Sequence, residues 1–103
     1  MNDLLIIDDD VAFAGVLARS LTRRGYTVRH AANPEAALAE VAAAAPPQII
    51  LDLNLAGESG LRLLPQLLEK APDARVLVLT GYASIATAVE AVKLGAVNYL
   101  SKP

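Results

Sequence analysis

A doubly wound α/β domain built on one parallel five-stranded sheet is what this sequence predicts. Three observations carry the expectation. Short apolar runs alternate with stretches of helical periodicity, giving the order βαβαβαβαβ. The links between them are short, which favours one compact layered unit over separate domains. The first run, Leu4 to Ile7, is apolar at every position instead of at alternate ones. An uninterrupted run is expected of a strand covered on both faces, as in a parallel sheet flanked by helices.

The elements follow in order. After the first strand, Asp10 can cap a helix running to about Arg24, with Phe13, Val16, Leu17 and Leu21 on its inner face. Ala14, Gly15 and Ala18 then form a small outward strip, and Gly25 suits the residue just past the helix end. Tyr26 to His30 reads as the second strand, and no role is expected of the lone His30. Asn33-Pro34 is a cap followed by proline at the first helical position, and that helix stops before Pro46-Pro47. Ile49 to Leu51 is the third strand, ending at Asp52. Leu53 to Glu58 reads as a loop, and Ser59 or Gly60 opens the third helix. Pro65 inside that helix removes one backbone bond and should kink it. Val76 to Leu79 is the fourth strand, ending at Thr80. Ser84 caps a fourth helix that ends near Leu94-Gly95, and Asn98 to Ser101 is the fifth strand, ending at Lys102.

Composition narrows the function. The chain has 103 residues, enough for one domain, and 54% of them are hydrophobic. Much of that fraction is alanine, as in Ala42 to Ala45, so the effective core is smaller than the figure implies. The strongly apolar runs are far shorter than a membrane span. Asn2 and Asp3 follow Met1 where a secretory signal would be basic and then apolar, so a cytoplasmic location is expected. There is no cysteine, which excludes disulfides and thiolate metal sites. A net charge of -2 makes the segment a poor nucleic-acid binder by itself.

In such sheets ligands sit at the carboxyl ends of the strands. Strand one delivers Asp8, Asp9 and Asp10 to that rim, strand three Asp52, strand four Thr80 and strand five Lys102. Three close carboxylates repel one another, so a hard divalent cation, Mg²⁺, is expected among Asp8, Asp9 and Asp52. Asp10 is read chiefly as the helix cap. A carboxylate nucleophile, a divalent cation, a lysine and a hydroxyl together suit phosphoryl transfer.

These residues, with the Lys102-Pro103 pair, resemble the CheY-like receiver domains of two-component response regulators over the whole chain. The run Thr80-Gly81-Tyr82-Ala83-Ser84-Ile85-Ala86-Thr87-Ala88-Val89 resembles more closely the redox-responsive RegA, PrrA and ActR type of proteobacterial regulators. Ala56 stands where most receivers have proline, a departure also met in that subfamily.

The resemblance implies a flavodoxin-like strand order of 2-1-3-4-5. It implies that Asp52 accepts a phosphoryl group from a phosphohistidine on a sensor histidine kinase and slowly hydrolyses it. By the same resemblance Asp9 and Asp52 bind Mg²⁺ directly, the Asn54 carbonyl is a third ligand, and Asp8 acts mainly through water. Thr80 and Lys102 hold the phosphoryl oxygens. Tyr99 is the switch residue that turns inward when Thr80 moves, and the Lys102-Pro103 peptide is cis. The apolar helix four, with Ile85, Val89 and Val92, and strand five are a possible homodimer or effector surface. Helix one of a receiver meets the kinase. A fifth helix is absent from residues 1–103, so a longer regulator is expected, with an amphipathic helix and then a DNA-binding output domain.

Bland readings stand beside these. Tyr99 is also compatible with an edge-strand packing role, and Arg19, Arg23 and Arg24 with a solvated helix face. A phosphatase of the haloacid-dehalogenase type would place its aspartate nucleophile after the first strand. A flavodoxin would need a phosphate loop where the Asp8-Asp9-Asp10 run stands. A degenerate receiver would lack part of the residue set.

Overall fold

The computed structural model describes residues 2–55, 57–81 and 85–102, with the backbone alone for Ile85. Its elements are β1 (Asp3–Ile7), α1 (Val11–Arg23), β2 (Thr27–Ala31), α2 (Pro34–Ala43), β3 (Gln48–Asp52), β4 (Asn54–Leu55), β5 (Glu58–Ser59), α3 (Gly60–Lys70), β6 (Arg75–Thr80), α4 (Ile85–Lys93) and β7 (Asn98–Ser101). β2, β1, β3, β6 and β7 form one parallel sheet in that order. With the two short strands β4 and β5 set aside, this is the expected order.

Caps explain where the helices begin and end. The Asp10 carboxylate accepts a 3.0 Å bond from the Phe13 N–H, and Asn33 Oδ1 one of 2.8 Å from Ala36. Each satisfies a donor that has no partner within the helix. Gly25 follows the last residue of α1 with φ of 96°, a conformation costly for any residue with a Cβ. Arg29 of β2 reaches the other end of α2, donating to the Glu40 and Ala44 carbonyls at 3.0 and 2.6 Å and pairing with the Glu40 carboxylate. Pro65 lies within α3 without ending it, on the exposed side of the helix. The expected cap Ser84 lies outside the described residues.

Two apolar layers hold the sheet. On one face Leu5, Ile7, Ile49, Leu51, Val76 and Val78 pack with Leu63, Leu64 and Leu67 of α3, Val41 of α2 and Ala91 of α4. On the other, Leu4, Ile6, Ile50 and Leu79 meet Ala14 of α1, bordered by Phe13, Leu17, Ala18 and Leu21. The register pairs Leu79 with Leu100, so Leu100 stands on the α1 side, 53% exposed.

The inner face of α1 differs from the expected one. Val16 is 58% exposed, whereas Ala14 is buried and Gly15 and Ala18 are half-buried. Phe13, Ala14, Leu17, Ala18 and Leu21 make one helical stripe, and Val16 falls on its far side. The larger side chain drew the sequence reading the wrong way round the helix; small residues face inward because α1 lies close on the sheet. The stretch read as a loop also holds structure. Asn54–Leu55 pairs antiparallel with Glu58–Ser59. Gly57 in the turn has φ of 87° and donates to Asn54 Oδ1 at 3.3 Å.

Candidate functional site

The site is assembled by strand ends. β1 and β3 are adjacent, with Ile7 opposite Leu51, so the next residues, Asp8 and Asp52, emerge side by side. β6 follows, with Asp52 opposite Leu79, which brings Thr80 to the same rim. Lys102 leaves the end of β7, its N–H bonded to the Thr80 carbonyl at 2.7 Å. An open cleft of about 530 Å³ runs between them, bordered by Asp9, Asp10, Asp52, Asn54, Thr80, Gly81, Thr87 and Lys102.

Asp8 is wholly buried and Asp52 nearly so. Asp8 is pinned at three points. Its N–H donates to the Ala31 carbonyl at 3.0 Å, one carboxylate oxygen accepts from the Asp10 N–H at 2.9 Å, and its carbonyl lies 2.7 Å from His30 Nε2. A carbonyl only accepts, so Nε2 carries the hydrogen. His30, expected to have no role, therefore touches the backbone of the acidic run. Asp52 Oδ1 accepts from the Asn54 N–H at 3.0 Å. Lys102 Nζ sits between the two acids, 3.0 Å from Asp8 Oδ2 and 3.3 Å from Asp52 Oδ2.

Burial pushes the Asp52 carboxyl above its ordinary range; the Asn54 N–H opposes this, Asp8 adds to it and Lys102 counters it. Burial alone would lower the Lys102 ammonium, yet its bonds to Asp8 and Asp52 and their charges leave it raised. Burial is thus the chief influence on Asp52, and the two facing carboxylates outweigh it for Lys102.

The grouping of the acids bears on metal binding. Asp8, Asp9 and Asp52 each offer an oxygen, all within 4.8 Å of one another. Asp8 Oδ2, though near the ammonium, has no hydrogen-bond donor among the described residues. Three anions facing one lysine, with oxygen ligands only, fit a hard divalent cation. Asp10 is not in this group, and its carboxylate is spent on the α1 cap. The Thr80 hydroxyl is buried with no partner among the described residues. Buried polar groups normally have partners, so a hydroxyl left without one beside a cleft is poised for a ligand.

Other expectations fall differently. Tyr99 pairs in register with Val78, on the α4 side, and is 37% exposed. Gly81 is exposed at the cleft, with no atom of the described residues outside its chain neighbours within 4 Å of where a Cβ would be. The Lys102-Pro103 peptide, expected to be cis, lies outside the described residues, as do Ala56 and Tyr82. Sequence reasoning gave Thr87 no part, although α4 brings it to the cleft.

The family described as "Response regulator receiver domain" matches residues 4–103. The chain belongs to that family. The receiver is 48% identical over 102 residues to the photosynthetic apparatus regulatory protein RegA of Rhodobacter capsulatus, covering 99% of this chain and 55% of the relative. It is 45% identical to the acid tolerance regulatory protein ActR of Rhizobium meliloti, covering 99% and 53%. It is thus of the RegA/PrrA/ActR type, and spans about half the length of these curated relatives. Among solved structures, a response regulator from Burkholderia pseudomallei with a phosphorylated aspartic acid, calcium ion and citrate superposes with a TM-score of 0.96. That protein is 56% identical, and the match covers all of this chain and 61% of the other. The NtrX receiver domain from Brucella abortus gives 0.92 at 34% identity, covering 98% and 86%.

Proposed function

We propose that this receiver takes a phosphoryl group from a sensor histidine kinase onto Asp52, in a reaction that requires Mg²⁺, and thereby controls a transcriptional output domain. The observation that carries this reading is the buried Thr80 hydroxyl, without a partner among the described residues, on the same rim as Asp52, which is paired with Lys102. A carboxylate nucleophile, an ammonium and this hydroxyl border one open cleft. The phosphorylated aspartic acid and calcium ion of the Burkholderia pseudomallei regulator support it.

In this reading an Asp52 oxygen forms a bond to phosphorus as the phosphorus–nitrogen bond of the phosphohistidine breaks. The electron pair leaves with the imidazole. Asp9, Asp52 and the Asn54 carbonyl would hold the cation directly, and Asp8 would assist them. Bound there, the cation supplies charge neutralisation for the phosphoryl oxygens. Lys102 shifts from the Asp52 carboxylate to a phosphoryl oxygen, and the Thr80 hydroxyl donates to another. Water later attacks phosphorus, returning Asp52 and releasing inorganic phosphate. Gly81 at the cleft brings no side chain of its own into that path.

Thr80 moving toward the phosphate draws Tyr99 inward, which changes the surface around α4 and β7. Val89, Val92 and Val97 are exposed on or beside α4, and this apolar surface is the place for a dimer or effector contact. The parent polypeptide continues into an amphipathic fifth helix over the α1 side of the sheet, where Leu100 is uncovered, and then into a DNA-binding domain. The greater length of the relatives supports this.

The test is labelling with acetyl phosphate and Mg²⁺. One hydroxylamine-labile phosphoryl group per chain is expected, and none on Asp52→Asn. A stable label on Ser59 or Thr80 of that variant, formed at the parent rate, overturns the assignment. No label on the parent chain indicates an interaction module without phosphoryl chemistry.

A further inference from the structure

Lys102 is held by more than carboxylates. Its ammonium lies over the face of the Phe13 ring, 4.7 Å from the centroid. Phe13 is the only phenylalanine of the chain. Its backbone is fixed by the cap, since its N–H is the donor to Asp10. Its ring is half-buried and borders the apolar layer under α1. The Lys102 side chain is 17% exposed, so water screens this contact little.

We propose that Phe13 is a positioning residue for Lys102, its ring face holding the ammonium at the phosphoryl site. The inference rests on the reading of Asp52, Thr80 and Lys102 given above. A lysine on a flexible four-carbon stem needs something to direct it. Asp8 and Asp52 do so at 3.0 and 3.3 Å, but both acids belong to the cluster that suits a divalent cation. A cation bound there draws on the same negative charge and repels the ammonium. The attraction of an aromatic face arises from the ring quadrupole and is not spent in that competition. Phe13 therefore keeps Lys102 beside Asp52 when the carboxylates hold it least. The bland alternative is that the ring only fills space under α1.

Fluorination separates the two, because it drains the ring face of electron density while changing shape little. Mono-, di- and trifluorophenylalanine are placed at position 13 of the full chain, in the parent and in Lys102→Met. Urea unfolding is followed without cation or phosphodonor. With Lys102 present, the unfolding equilibrium constant should rise stepwise, by about two- to fivefold across the series. In Lys102→Met it should stay flat. The rate of labelling by acetyl phosphate and Mg²⁺ should fall stepwise in the Lys102 series, and Phe13→Trp should keep the rate that Phe13→Leu loses. Equal slopes in both backgrounds, or a flat rate across the series, reduce Phe13 to packing and overturn the proposal. Should Lys102→Met not fold, the Lys102 ε-methylene proton shifts decide. An upfield position in the parent that is lost in Phe13→Leu supports the contact, and no difference overturns it. A parent chain that takes no label at all defeats the phosphoryl reading instead, while the unfolding series still reports the ring contact.

Discussion

Gly60 is where the fold leaves the backbone of Asp52 little room. It is buried at the first position of α3, and its N–H donates to the Leu53 carbonyl at 2.9 Å. A Cβ at this position would lie 2.5 Å from the Asp52 carbonyl oxygen, 2.9 Å from Leu53 Cα and 3.3 Å from the Asp52 carbonyl carbon. All three atoms are backbone, so no rotamer change relieves the clash. Restoring an ordinary 3.4 Å separation requires α3 and the end of β3 to part by roughly 0.9 Å. Such overpacking costs about 1–3 kcal/mol. Alanine's better helix propensity returns at most about 1 kcal/mol. Gly60→Ala is therefore expected to destabilise by about 0–3 kcal/mol, a fall in Tm of up to roughly 24 °C for a domain of this size.

The consequence for chemistry is larger, because the moving atoms carry Asp52. Misplacement of a reacting group by about 1 Å can cost a hundredfold in rate. Labelling of Gly60→Ala by acetyl phosphate should fall by about ten- to a hundredfold under conditions where it remains folded. Gly15→Ala is the control. Its Cβ would meet only Arg19 Nη1, at 3.9 Å, and the substitution should stabilise by about 0.5–1 kcal/mol without changing the rate. A Gly60→Ala chain that melts no lower than the parent and labels at the parent rate refutes the argument from close approach.

Three further outcomes are expected. Asp9→Ala should weaken Mg²⁺ binding sharply, measured by calorimetry, whereas Asp10→Ala should cost about 1 kcal/mol of stability through the lost α1 cap and leave binding largely intact. Because the Asp52 carboxyl is raised in the folded chain, its protonation favours the fold at low pH, and that contribution is lost as pH rises through the folded value. Without divalent cation, Asp52→Asn should thus gain stability over the parent as pH approaches neutrality and lose the advantage below the ordinary carboxylate range; a parent that is the more stable at neutral pH contradicts the direction given. Thr80→Val removes a hydroxyl that has no partner among the described residues, so thermal stability should hold, while the phosphorylation-induced change in Tyr99 resonances should disappear.

The rim residues were legible because a parallel sheet makes position along the strand equivalent to position in space. Each strand end delivers its next residue to the same edge, so Asp8, Asp52, Thr80 and Lys102 could be gathered by counting. Caps were legible for a similar reason: Asp10 and Asn33 act on N–H groups three residues on, within one turn. The hairpin of β4 and β5 was not, since two-residue strands are too short to show alternation. The inner face of α1 failed on volume. Val16 satisfies a helical spacing with Phe13 and Leu17, and periodicity alone does not say how near the helix sits to the sheet.

The remaining residues were hidden because their partners are distant in sequence and their types are common. Arg29 reads as an ordinary strand residue until α2 ends against it. His30 reads as a lone histidine until the strand beside it turns its Asp8 carbonyl outward. Phe13 reads as core, and partly is. What distinguishes it is the arrival of Lys102 from the opposite end of the chain, an event set by the β6 to β7 crossover and by the Lys102 N–H bond to Thr80. That same bond joins, through their backbones, the two residues proposed to hold phosphoryl oxygens. On the proposed reading, a displacement of Thr80 toward a phosphate would pull through this hydrogen bond on the segment that carries Lys102, directly after β7, which holds Tyr99.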